Sequence, residues 1–321
     1  MKIGIVSTAF AQWNLHDTLE YCQQLGINAI EIGCGGYPGN AHCHVEELLS
    51  EPQKMQEYKK MFRDSGIDIS AFACHGNPIH PDTERAKRDH EIYLRTLEIA
   101  EEMEVDTVVT FSGCPGDSDL SIRPNWVTCP WPDDYRKTLE YQWNEKLIPY
   151  WSGAVEHAKK HGISHIALEM HPGFCVYNPE TLLHLRSEVG PIIGANFDPS
   201  HLFWQGIDPV YAIRALKDAL YYVHAKDCKI CEPNLKTNGV LDTKHYSDSE
   251  GRTWIFRTVG YGHPESIWSD IISELRIAGY DNVLSLEHED GLMSLEEGVE
   301  KAIHMLKKLI ISQPAPQIWW A

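Results

Sequence analysis

Positive charge is scarce in this chain: 28 lysines and arginines stand against 46 aspartates and glutamates, a formal net charge of -18. Such a surface repels a phosphate backbone, so nucleic acid is not an expected partner, and a nuclease would need a basic groove that the sequence does not supply. Long hydrophobic runs are also missing. Nowhere do about 18 apolar residues run unbroken, and Met1-Lys2-Ile3-Gly4-Ile5-Val6 is too short and too soon interrupted for the apolar core of a signal peptide. A soluble, cytoplasmic protein without a membrane partner is expected. No glycine-rich phosphate loop of the Walker or dinucleotide kind occurs, which favours an unphosphorylated substrate.

Cysteine is present but not in a disulfide pattern. Nine is an odd number, scattered through a chain of 321 residues that is large enough to bury a core without staples. Most are expected to be small core fillers in a reducing compartment. The spacing Cys228-Lys229-Ile230-Cys231 suits a redox pair or half a zinc knuckle, but no second Cys-x-x-Cys completes it.

One pattern recurs along the chain: an amphipathic helix ends in glycine, a polar residue follows, and a β-rich run begins. It reads Leu25-Gly26-Ile27-Asn28, Ser65-Gly66-Ile67-Asp68, His161-Gly162-Ile163-Ser164 and Ala278-Gly279-Tyr280-Asp281. Filled in between these points, strands fall at 2–7, 29–33, 67–74, 107–112, 165–169, 192–197, 220–224 and 283–287. Helices fall at about 15–25, 45–64, 82–103, 137–161, 179–189, 208–218, 264–278 and 294–311. Eight alternating βα units without hairpin signals or a dinucleotide fingerprint predict a single (β/α)8 TIM barrel over residues 1–312. Two long loops break the rhythm, 113–136 after strand four and 225–263 after strand seven, on the face where barrel enzymes bind substrate. The apolar tail 313–321, with Trp319 and Trp320, and the tryptophans at 126, 131 and 143 suggest packing against the barrel, a second copy or a smaller partner subunit.

The late strands end in ionisable residues. Strand five delivers Glu169, strand six Asp198, strand seven His224 and strand eight Glu287. Each alone has an ordinary explanation as a helix cap or half of an ion pair. Three carboxylates around one axis repel one another unless a cation neutralises them, so together they predict one divalent metal ion. A set rich in oxygen with one imidazole suits Mn2+ best, with Mg2+, Co2+ and Zn2+ compatible.

These four residues resemble the metal ligands of the xylose-isomerase-like barrels, the sugar phosphate isomerase/epimerase superfamily that includes inosose enzymes and ketose 3-epimerases. The resemblance spans nearly the whole chain. It extends to Asp198-Pro199-Ser200-His201, His224-Ala225-Lys226-Asp227 and Cys74-His75-Gly76-Asn77-Pro78 with His80-Pro81-Asp82. It implies that Glu169 and Glu287 exchange a proton with opposite faces of the carbon beside a sugar carbonyl. His75 and His201 are implied to bind substrate oxygens, and Arg257, before the turn Gly260-Tyr261-Gly262, to reach the substrate near the metal. The expected substrate is a small carbohydrate or glycoside, and the default reaction isomerisation or epimerisation.

Two departures from small epimerases stand out, the long insertion between His224 and Arg257 and the added His171. Positions two apart on a strand share a face, so His171 is placed beside Glu169 as a candidate base. That arrangement is similar to the larger subunit of bacterial C-glycoside deglycosidases and related lyases on 3-keto-glycosides, which implies β-elimination as the alternative outcome. A non-catalytic carbohydrate-binding barrel is the remote alternative.

Overall fold

The computed structural model describes residues 1–314, 316–318 and 320. Its strands are β1 (Lys2–Val6), β2 (Ala29–Gly33), β3 (Asp68–Ala73), β4 (Thr107–Thr110), β5 (His165–Glu169), β6 (Ile193–Phe197), β7 (Leu220–Ala225), β8 (Asp227–Ile230), β9 (Trp254–Arg257) and β10 (Val283–Leu286). Eight of them close into a barrel in the order β1-β10-β7-β6-β5-β4-β3-β2, with every neighbouring pair parallel. All eight expected strands are present, their ends moved by one or two residues at most. The four expected closing glycines, Gly26, Gly66, Gly162 and Gly279, all adopt left-handed φ, between 58° and 88°.

The surrounding helices begin where short polar side chains can cap them. Asn14 accepts from the Asp17 N–H to start α1 (Leu15–Gln24), and Asp82 accepts from the Glu84 and Arg85 N–H groups to start α4 (Thr83–Glu102). Between these two, the single helix expected over 45–64 is two, α2 (Val45–Ser50) and α3 (Pro52–Ser65). Pro52 forces Glu51 out of the helical region, to φ -119° and ψ 94°, and then starts the second helix itself. The helix expected over 137–161 begins earlier, as α5 (Asp133–Tyr141), widens through a π-helical turn at Gln142–Leu147 and continues as α6 (Ile148–Lys160). Pro149 has no N–H to give the carbonyl four residues back, which accounts for the widening there. The chain continues through α7 (Pro179–Val189), a short α8 (Pro199–Phe203), α9 (Pro209–Leu216), α10 (Glu232–Asn238), α11 (Glu265–Ile277) and α12 (Leu295–Leu309).

The long segment after β7 is not the plain loop that the absence of hairpin signals predicts. It carries α10 and an antiparallel ribbon in which Asp227 faces Arg257 and Ile230 faces Trp254. No tight turn joins the two strands, so the local sequence holds no mark of their pairing. The segment after β4 is stapled by Gln142, whose Nε2 donates to the carbonyls of Pro115, Gly116 and Asn125 at 3.2, 3.1 and 2.6 Å.

Side chains fill the barrel in two regimes. Its lower interior holds mostly small groups, Ala29, Ala71, Ala73, Val109, Ala167 and Val283, around Tyr222, whose hydroxyl meets Ser70 Oγ at 2.6 Å. The larger aliphatic core, with Ile30, Leu97, Leu168, Ile193 and Leu286, lies between wall and helices. Strand periodicity then carries the inward face upward, from Ala167 to Glu169, from Tyr222 to His224, and from Val283 through Ser285 to Glu287. The functional rim is the continuation of the barrel's own inward rows.

All nine cysteines are free, and seven of them are buried, including Cys228. Among the described residues, no helix is long and apolar enough to cross a membrane. The tail leaves α12 and meets α11, where the Gln313 carbonyl accepts from Arg276 Nη2. Of the residues expected to make the tail an interface, Ala315, Trp319 and Ala321 lie outside the described residues.

Candidate active site

The four residues at the late strand ends converge. One donor atom from each of Glu169, Asp198, His224 and Glu287 lies within 4.8 Å of the others. Glu169 ends β5; Asp198 follows β6, where its Oδ1 accepts from the Ser200 N–H at 2.8 Å and starts α8. His224 stands in β7, and Glu287 follows β10 with its N–H held by the Ala225 carbonyl at 3.2 Å. His224 Nδ1 is 3.1 Å from Glu287 Oε2 and 3.4 Å from Glu169 Oε2.

Two histidines grip Glu169. His75, just beyond β3, places Nε2 at 3.1 Å from Oε2, and His201, on α8, places Nε2 at 3.0 Å from Oε1 and 3.3 Å from Asp198 Oδ2. Burial pushes the Glu169 carboxyl up, but hydrogen bonds, that from His201 foremost and that from His75 with it, outweigh burial and hold the group well below the usual carboxylate range. His171 lies against this pair, its ring centroid 4.1 Å from that of His201. Its Nδ1 meets the Pro172 carbonyl at 2.6 Å; a carbonyl only accepts, so Nδ1 carries the hydrogen and Nε2 keeps a free lone pair. Burial first, and repulsion from His201 second, push the His171 pKa down to about 3, so the ring is neutral at physiological pH.

Arg257 is not brought to this cluster. Its Nε donates to Asp290 Oδ2 at 3.0 Å, and the guanidinium sits 5.6 Å from the Tyr261 ring centroid. The Gly-x-Gly turn that follows it serves Asp227. The N–H groups of Gly260, Gly262 and His263 donate to Asp227 Oδ2 at 3.0, 3.2 and 2.9 Å, with Trp268 Nε1 on the same oxygen at 3.2 Å.

Three residues of the site escaped the sequence reading. Glu31, fully buried in β2, accepts from His224 Nε2 at 2.8 Å and from Ser285 Oγ at 3.2 Å. A lone carboxylate inside the run Ala29-Ile30-Glu31-Ile32 was the available signal. Lys226, two residues past His224 and therefore on the same inward row, is also buried. Its Nζ lies 2.8 Å from Glu287 Oε2, 3.2 Å from Asp198 Oδ2 and 3.3 Å from Glu289 Oε2, and 4.8 Å from the Phe256 ring centroid. Glu289, two past Glu287, shares that residue's face.

The donor set fits a cation. Asp198 Oδ2 and Glu287 Oε2 are buried and accept no hydrogen bond of proper direction, although Lys226 is near both. With the His224 Nε2 hydrogen given to Glu31, Nδ1 is the nitrogen turned toward the other three donors. The carboxylates of Glu169, Asp198 and Glu287, with Glu31 and Glu289 close by, outnumber the one ammonium of Lys226, an excess of negative charge that a divalent ion would reduce.

The sequence profile of the xylose isomerase-like TIM barrel family matches residues 19–309. This chain belongs to that family. It is 36% identical over 312 residues to the uncharacterized protein YfiH of Bacillus subtilis (strain 168), covering 97% of this chain and 99% of that one. Among solved structures, it resembles a D-tagatose 3-epimerase-like protein at a TM-score of 0.63 and 20% identity, covering 96% of this chain and 98% of that one. It also resembles 3-keto-D-glucoside 4-epimerase YcjR of E. coli at 0.62 and 16%, with the same shares covered. At these identities the two structures show a shared fold.

Proposed function

We propose that the chain is a divalent-metal-dependent enzyme that removes the proton beside the carbonyl of a keto-sugar or sugar derivative, with isomerisation or epimerisation as the outcome. The observation that carries this reading is the convergence of Glu169, Asp198, His224 and Glu287 at the carboxyl ends of the barrel strands, with donor atoms within 4.8 Å. These four would hold the ion, Mn2+ by preference, and when bound it would supply the electrophile for a sugar's carbonyl and neighbouring hydroxyl.

The chain's own groups do the rest. Glu169 on β5 and Glu287 beyond β10 present two carboxylates to one substrate position, so one takes the proton and the other returns it to the opposite face. Their depressed proton affinity makes them weak bases, and proximity offsets that. His75 and His201 keep Glu169 ionised and turned to the rim, and are placed to meet substrate oxygens. Arg257, tied to Asp290, steadies the segment after β7 and would reach the substrate from there.

His171 favours a second reading. A neutral imidazole with a free Nε2, beside His201, has a lone pair available to take a proton, and proximity would have to offset its lowered proton affinity as it does for the glutamates. Proton removal by His171 followed by departure of a group from the next carbon is β-elimination from a 3-keto-glycoside, and YcjR, named for a 3-keto-glucoside, shares the fold.

Elemental analysis joined to a substrate screen on wild type, Glu169→Gln and His171→Ala tests both. Metal retained and turnover lost in His171→Ala assigns the base to histidine and supports elimination. An active His171→Ala supports the paired glutamates. Full activity after exhaustive chelation would remove the metal-dependent reading altogether.

A further inference from the structure

A cavity of about 410 Å3 opens beside the carboxylate cluster. None of the four proposed ligands lines it. Two polar residues form its inner side: His171, in ring contact with His201, and Glu289, 3.3 Å from Lys226. Its remaining wall is largely apolar and partly aromatic, made by Tyr246, Ile255 and Phe256 with Ser249 from the segment after β7 and by Gly291 and Leu292 beyond β10. The Tyr246 and Phe256 rings stack, with centroids 5.6 Å apart and planes at 23°.

Three features of this space point to one kind of occupant. Its volume falls within the roughly 300–1,000 Å3 of small-molecule sites, so it holds a ligand group additional to whatever sits on the carboxylate cluster. Tyr246 and Leu292 are 56% and 58% exposed at its mouth, apolar surface left in water that a bound apolar group would cover. His171 and Glu289 join it directly to the residues around Glu169 and Glu287, so a group in the cavity and a sugar at the cluster belong to one molecule.

We propose that this cavity is a subsite for a planar apolar group attached to the sugar, so that the substrate is an aryl glycoside or a similar conjugate and not a free monosaccharide. The proposal rests on the sugar-directed reading of the carboxylate cluster. The stacked Tyr246 and Phe256 rings supply a face for an aromatic aglycone, and Ile255 and Leu292 close the sides. The insertion after β7 is then the element that sets substrate class, because it contributes three of the four apolar walls.

The test compares methyl and 4-nitrophenyl 3-keto-β-D-glucosides by calorimetric titration of the metal-loaded full chain. The aryl glycoside is expected to bind about tenfold or more tighter than the methyl glycoside, from aromatic area removed from water. Leu292→Trp, which fills the cavity from an exposed loop position, should bring that ratio close to one, with metal content measured in parallel. Equal affinities in wild type, or a ratio untouched by Leu292→Trp, would overturn the subsite while leaving the sugar-directed reading in place. If neither glycoside binds the metal-loaded protein, the sugar-directed reading and the subsite fail together.

Discussion

Glu31 on β2 accepts a hydrogen bond from His224 Nε2 on β7 at 2.8 Å, although β1 and β10 stand between those strands in the barrel wall. The contact crosses the barrel interior and decides which ring nitrogen faces the other three donors. Carboxylate partners of this kind orient a ligand histidine and raise its basicity.

Glu31→Gln should therefore weaken metal binding about 10–100-fold while leaving the barrel folded. Mn2+ titration monitored by calorimetry, with circular dichroism as the control, measures it. Unchanged affinity would mean that His224 needs no partner to hold its orientation.

Lys226 occupies the same cluster as a fixed cation. Burial works against its charge, but Asp198, Glu287 and Glu289 outweigh burial and hold the ammonium protonated, well above the ordinary lysine value. In Lys226→Met, the metal-free protein should lose about 3–5 kcal/mol, because the buried carboxylates then repel without a counter-charge. Metal affinity should rise, since a competing cation has gone, and added Mn2+ should recover much of the lost melting temperature. Equal melting of both metal-free proteins would count against this balance of charges.

Asp227 anchors the segment after β7. It is fully buried and accepts from four donors on Oδ2, with the Cys228 N–H and His263 Nδ1 at 2.8 Å on Oδ1. Asp227→Asn turns an amide donor into this ring of donors and should destabilise the protein by about 3 kcal/mol or more. Limited proteolysis should then cut first within 226–263. A stable variant with an unchanged cleavage pattern would show that the turn holds itself.

Gly298 lies inside α12, where a Cβ would stand 2.0 Å from His288 Cε1. Helix propensity alone predicts that Gly298→Ala stabilises by about 1 kcal/mol. The expected result is a net loss, read by urea unfolding, because the His288 ring has to move and Glu287 precedes it in the chain.

Asp290 gives a pH-dependent term. Burial raises its pKa, but the Thr258 and Leu292 N–H groups and Arg257 outweigh burial and leave it lowered. A lowered folded value means stability present above the unfolded carboxylate value of about 3.9 and lost as pH falls through the folded one. The gap in unfolding free energy between wild type and Asp290→Asn should therefore be constant from pH 7 to 5 and shrink only under stronger acid. A gap that closes between pH 7 and 5 would assign the effect to another group.

Strand and helix placement was legible because it depends on short-range pattern: apolar alternation, capping residues, and glycine where a helix has to stop before a strand. Glu169, Asp198, His224 and Glu287 could be chosen because each ends a recognisable strand. Glu31 could not, since a carboxylate in β2 has meaning only beside a histidine 193 residues later. Lys226 was visible within its string but not as the neighbour of three carboxylates from β6 and β10. The tie of Arg257 to Asp290 was hidden for the same reason, because Asp290 belongs to a different loop.

By itself the sequence determined an eight-fold βα repeat, and with it the rim to which the ionisable strand ends belong, because backbone propensity and side-chain alternation act over a few residues. Tertiary structure alone decided which of those groups touch, which nitrogen of His224 faces inward, and where the apolar cavity opens. Such contacts join residues far apart in the chain, and only closure of the barrel brings them within the few ångströms over which hydrogen bonds and charges act.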